Sequence, residues 1–227
     1  MSADPSIGPT ATTILETLII FLSNTNTAII TEPFKSVITA LSGAAIAIFA
    51  EPVRQWLFRP NIVLSFNNDE ECVSHTFLTT NPSTARGPNA VYIRVRIKNT
   101  RNRMARECRG YLTGFEKRND EGKFVKTEYC DSIMLHWSCQ RAETKYLPVH
   151  IPSGVNQFLD IVSLEENKKS FSLQTHIVLN RYHDLLHQTG VFRFTIQVVA
   201  DNAKPKTIRL IFEWSGEMKK FKVYKDS

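Results

Sequence analysis

From Asn61 onward the chain repeats every second residue. Val91, Ile93, Val95 and Ile97 are apolar, while Tyr92, Arg94, Arg96 and Lys98 alternate with them. Successive side chains of a strand leave opposite faces, so this run reads as a half-buried strand with one apolar and one basic face. A helix would scatter the same charges around its axis. Further strands are predicted at Ile62–Phe66, Ala105–Phe115, Phe124–Tyr129, Ile133–Trp137, Asn156–Ser163, Phe171–Leu179, Val191–Val199 and Thr207–Trp214. Turn formers such as Asn119-Asp120-Glu121-Gly122 and Pro152-Ser153-Gly154 separate them, Asn67–Asn89 reads largely as loop, and only Tyr182–Gln188 suggests a short helical turn. Short strands at this spacing, without a long amphipathic helix, predict an antiparallel sandwich over residues 60–227.

The first 60 residues have a different character. Between Ile7 and Ala50 the only charges are Glu16, Glu32 and Lys35, and Ser36–Ala50 is an uncharged run of 15 residues. As a helix that run is about 22 Å long, short of a hydrocarbon core of about 30 Å. Its flanks extend the apolar character: Pro33 suits a first helical turn, Lys35 can reach outward, and Trp56 beside Arg54 and Arg59 resembles a membrane boundary. The sequence thus predicts a transmembrane helix at 33–58, preceded over 1–32 by a disordered start and a short interfacial or re-entrant helix at Ile14–Leu22. Arg54 and Arg59 after the run place the C-terminal domain in the cytoplasm by the positive-inside rule, giving a single-pass membrane protein. Ser36, Ala40 and Ala44, with Thr39, Gly43 and Ala47 in the adjacent row, put small residues at the i, i+4 spacing that lets membrane helices self-associate.

Charge divides the same way. Of 28 basic and 22 acidic residues, three and four lie in residues 1–60, leaving 25 and 18 beyond them. The basic excess therefore belongs to the strand-rich part and suits an anionic partner: lipid headgroups of a bilayer, a nucleotide, or an acidic protein. It is densest from Arg94 to Arg109, where Arg94, Arg96, Lys98, Arg101, Arg103, Arg106 and Arg109 face one acid, Glu107. Arg94, Arg96, Lys98, Arg101 and Arg103 are the candidate binding residues. An ordinary solvated strand face and loop accounts for them about equally well.

The order of a strand ending at Lys98-Asn99-Thr100, Ala105, then Leu147-Pro148 and Ile151-Pro152-Ser153-Gly154 leading a strand, then Gly190-Val191-Phe192-Arg193-Phe194 running to Asp201-Asn202 resembles immunoglobulin-like bacterial modules of the CARDB or fibronectin type. Val91–Leu112 is also similar to a group of bacterial proteins with an N-terminal membrane helix followed by such a domain. The resemblance implies an immunoglobulin-like β-sandwich and a bacterial origin. It transfers no activity and no catalytic residue.

Catalytic motifs are not apparent. The chain has no glycine-rich phosphate loop, no GxSxG and no paired-carboxylate motif, so neither an enzyme nor a cofactor is expected. His183 and His187 share one helical face but lack the glutamate of HExxH, and Cys72–His75 has zinc-like spacing without two further ligands, so no metal is expected. Cys72, Cys108, Cys130 and Cys139 form no CxxC pair and are read as thiols, with Cys108 as a small buried residue. Asp160, inside an apolar strand, is either a functional acid or a group that satisfies a turn or pairs with a nearby arginine. Trp137 and Trp214 are read as packing. The function expected is a membrane-tethered, non-enzymatic binding module with a basic face for an anionic partner. The alternative is a membrane effector or sensor, as in antiphage defence, whose β domain senses a ligand while the helices perturb the membrane.

Overall fold

The alternating runs become the long strands of a sandwich. A computed structural model describes residues 59–77, 87–127, 132–177 and 183–226. In chain order the elements are β1 (Ile62–Ser65), β2 (Val73–Phe77), β3 (Asn89–Asn99), β4 (Ala105–Arg118), β5 (Phe124–Lys126), β6 (Ile133–Met134), β7 (Val149–Ile151), β8 (Asn156–Glu165), β9 (Phe171–Leu173), a single helical turn α1 (His183–Leu186), β10 (Gly190–Ala200), β11 (Ala203–Trp214) and β12 (Phe221–Lys225). One sheet runs β1-β3-β8-β9, with β2 beside β1 on the same edge of β3. The other runs β12-β11-β10-β4-β5, with β6 and β7 also on β4. Every ladder between these strands is antiparallel.

Two bulges set which residues face the core. In β4 the register against β10 slips between Leu112 and Gly114, so Thr113 is the extra residue and Leu112 and Phe115 both point inward. In β8 the register slips around Ile161, which pairs Ile93 with Val162 and Arg94 with Asp160. Leu159 therefore stays in the core while Asp160 reaches the outer face of β3.

Aromatic side chains join the two layers. Phe171 of β9 meets Phe192 and Phe212 of the opposite sheet edge-on, with centroids 5.2 and 5.3 Å away. Phe115 stacks on Phe194 at 5.1 Å, and Phe212 on Trp214 at 6.0 Å. Each such pair is worth about 1 kcal/mol beyond the burial of its area. The segment after β6 also crosses between layers. Ile133 and Met134 pair with β4, whereas Leu135 bridges Thr175 and Trp137 bridges Leu159 of the other sheet. Trp137 and Trp214 are both buried, as packing residues.

The sequence joined this sandwich to a membrane helix, and that expectation is corrected. No helix among the described residues is long and apolar enough to cross a membrane; α1 has four residues. The segment 33–58, with Lys35, Gly43, Ala47, Arg54 and Trp56, lies outside the described residues, as does Ile14–Leu22. The uncharged run Ser36–Ala50 holds 15 residues, against the roughly 20 that a span needs. The fold stands as mainly β, two antiparallel sheets around one core.

Gly110 of β4 shows how closely the layers approach. A Cβ there would lie 2.2 Å from Cδ2 of the buried Leu159. Gly110→Ala should therefore destabilise the domain by about 1–3 kcal/mol through overpacking. In a Leu159→Ala background the added methyl should cost almost nothing further, a non-additivity readable by urea denaturation.

Three described cysteines are free thiols, two of them buried and Cys139 exposed. Burial pushes the Cys108 thiol up to about 12 and raises that of Cys72 as well. Because the thiolate is the reactive form, iodoacetamide should alkylate Cys139 in the native protein and reach Cys72 and Cys108 only after unfolding. Peptide mass mapping before and after denaturant checks this.

Candidate anion-binding site

The basic face of β3 is built as the alternation predicts, yet its arginines are already occupied. Arg94 Nε lies 2.8 Å from Asp160 Oδ1, with side-chain exposures of 17% and 4%. Ser138 Oγ donates to the same carboxylate oxygen. His136 Nε2 sits 3.6 Å from Asp160 Oδ2 and 2.7 Å from Gln174 Oε1, and Gln174 Nε2 donates to Ser163 Oγ at 2.6 Å. One strand position along, Arg96 Nη2 reaches Asp69 Oδ2 at 2.8 Å and Glu71 Oε2 at 2.6 Å, and its guanidinium lies over the Phe158 ring. Asp69 also accepts the backbone N–H of Cys72 at 2.9 Å. That bond and the Arg96 contact hold its carboxyl below the usual range, against the opposing effect of burial. Two loop acids and one strand acid thus neutralise the centre of the basic strand. Lys98 stays exposed at its end.

Ser138, His136 and Asp160 are the residue types of a hydrolytic triad, but the bonds run in another order. The serine hydroxyl donates to the aspartate rather than to the imidazole, so no base is placed to activate it. The group reads as a connected polar network that satisfies a buried acid. Asp160 accordingly takes the second of its two sequence readings, as the partner of an arginine. Removing that acid leaves the Arg94 guanidinium largely enclosed without a counter-charge. Asp160→Ala should cost about 3 kcal/mol in urea denaturation, whereas Glu71→Ala, at an exposed carboxylate (59%), should cost under about 1 kcal/mol.

A second group of cations meets at one end of the sandwich. Arg59, Pro60, Asn61 and Ile62, on the approach to β1, line a cleft of about 310 Å³ with Arg101 from the β3–β4 loop and Lys204 and Lys206 of β11. Among the described residues no carboxylate lines it. Lys206, opposite the buried Val198 of β10, occupies the alternation of β11 that carries the buried Ile208, Leu210, Phe212 and Trp214 further along, and the register against β10 slips between Lys206 and Ala203. Lys206 therefore extends the inward face of the strand past the end of the core, and both it and Lys204 are exposed. Pro205 between them sits where β12 no longer accompanies β11, since β12 pairs only with Leu210–Trp214.

The loop holding Arg101 is fixed from beneath. Asn99, fully buried, donates from Nδ2 to the carbonyls of Arg103 at 2.6 Å and Ile151 at 3.1 Å, and its Oδ1 accepts the N–H of Arg101 at 3.2 Å. Asn61 Nδ2 donates to Thr100 Oγ1 at 2.8 Å, and Arg101 Nη1 reaches the carbonyl of Arg59 at 3.4 Å. The two approaches to the cleft are thereby tied together. A wider depression of about 570 Å³ at the ends of β10, β11 and β12 carries Glu213 beside Lys219, Lys220 and Lys222, so its charge is mixed.

Of the residues proposed from sequence, Arg101 lines the cleft, and Arg59, read as a membrane flank, lines it too. Arg94 and Arg96 are withdrawn into ion pairs on the outer face of β3. Arg103 is half-buried in the loop. Lys204 and Lys206 were not singled out from sequence, although a lysine on the core-facing alternation of a strand, as at Lys206, is a signal that marks the place. No protein-family model and no curated protein matches the chain.

Proposed function

We propose that this domain is a non-enzymatic binding module that holds a phosphate-bearing ligand in the cleft between Arg59, Arg101, Lys204 and Lys206. One observation carries the reading: Lys204, Lys206 and two arginines converge on a concave site of about 310 Å³ whose described walls carry no carboxylate. Arginine offers a planar fork suited to phosphate oxygens, and lysine adds a point charge. The cleft is near the lower end of ordinary ligand pockets, about 300 Å³, so it suits a single headgroup or a small phosphate ester. Asn99 and Asn61 hold the walls in place before any ligand arrives, which limits the ordering cost of binding.

The test uses the full chain and two ligand arms. Pyrophosphate titrated by calorimetry represents a soluble phosphate. Sedimentation with vesicles of phosphatidylglycerol, against phosphatidylcholine, represents a lipid headgroup. At least one arm should show binding that weakens steeply as salt rises. Lys204→Ala/Lys206→Ala should weaken it at least tenfold, since each cation near an anionic surface contributes about 1 kcal/mol. Lys98→Ala, on the strand face favoured by the sequence, should leave it unchanged. Binding equal in the folded double variant, or binding in neither arm at low salt, would overturn the proposal.

A further inference from the structure

His183 and His187 bracket α1, the one helical turn between β9 and β10, and neither is used by the cleft or the core. Their Nε2 atoms lie 3.3 Å apart and their ring centroids 4.4 Å apart. Two imidazole nitrogens bound to one tetrahedral ion, each about 2.0–2.1 Å from it, stand about 3.3 Å from each other. The spacing already matches. We infer that His183 and His187 form a binding site for a borderline divalent cation of the zinc and nickel class.

Three features of the site support the inference. First, both imidazoles are exposed, His183 with 74% of its side chain in solvent, so an ion can reach them without opening the fold. Second, the Asp184 carboxylate lies 3.8 Å from His183 Nδ1 and adds negative charge beside an incoming cation. Third, the two histidines stand at i and i+4 on one helical turn, the spacing that puts both rings on one face. An ion between the two Nε2 atoms would be held by two coordinate bonds.

The donor set also limits what binds. Nitrogen ligands favour zinc, copper, nickel and cobalt over magnesium and calcium, which prefer oxygen. Gln188 is turned away as a ligand, because its Oε1 accepts from Lys117 Nζ at 2.5 Å. Among the described residues no third histidine, cysteine, aspartate or glutamate completes the group. A bound ion would keep two positions for water or for donors from a second molecule, the pattern of an open site rather than a structural one.

The experiment is a calorimetric titration of the tag-free full chain, in a Cys130→Ser/Cys139→Ser background so that thiols do not compete for the ion. Zinc and nickel should each bind at one site per chain, and magnesium should give no heat. His183→Ala and His187→Ala should each weaken zinc at least tenfold while leaving the far-ultraviolet circular dichroism unchanged, because both side chains are solvent-exposed. His150→Ala, at the other exposed histidine that approaches a carboxylate (Glu107 at 3.6 Å), should bind as the parent does. No binding by the parent at millimolar zinc, affinity retained in both α1 variants, or loss in His150→Ala alone would overturn the assignment.

Discussion

A sandwich stands on whatever crosses between its sheets, and here that crossing is aromatic. Phe171 comes from β9, a strand of three residues at the margin of the smaller sheet, yet it meets the rings of Phe192, Phe194, Phe212 and Phe115 on the opposite layer. The strands that carry those rings are the long central ones, so their inward faces are already full of large side chains. Where the rings stop, the spacing must tighten, and Gly110 against Leu159 is that place. The ends of the sandwich inherit their shape from this arrangement. Before Ile208 the inward alternation of β11 runs out of the core, and Lys206 can occupy it because that end is open to solvent.

Polar groups in the same fold follow a different economy. Arg94 with Asp160, Arg96 with Asp69 and Glu71, and Arg193 with Glu116 at 2.6 Å all place a guanidinium on the outer face of a sheet with its counter-charge beside it. The Arg96 pairs hold the loop before β2 against β3, and the other two join neighbouring strands. They offer little to a ligand, because an incoming anion would first have to displace a carboxylate. The cleft beside β1 differs in composition: among the described residues its walls carry cations and no carboxylate.

Much of this was legible in the sequence where periodicity was long. β3, β4, β10 and β11 were expected from runs of eight to eleven residues within them, and the turn at Asn119–Gly122 closes the β4–β5 hairpin through the bond from Gly122 N–H to the Asn119 carbonyl. The strands missed were β2, β7 and β12. The first places Ser74 and His75 where an apolar pattern would be sought, the second has three residues, and the third is interleaved with lysines. The candidate site failed for a different reason. Arg94 and Arg96 looked free because their partners lie 66 and 27 residues away, a pairing that only strand register and a bulge bring about. Lys204 and Lys206 looked like loop because β11 was expected to begin at Thr207, four residues after its start at Ala203. One misplaced boundary hid their alternation.

The Lys204-Pro205-Lys206 stretch has a second consequence. Among the described residues, β11 before Leu210 has a strand on only one side. A bare run of backbone N–H and C=O groups is an invitation to pair with another chain, and natural sheets refuse it with proline and lysine. The lysines proposed to gather an anion at the cleft therefore also guard the sheet margin against pairing with another chain. Neutralising them trades away colloidal safety along with recognition, and a bound anion that masks their charge leaves Pro205 as the remaining guard of that margin.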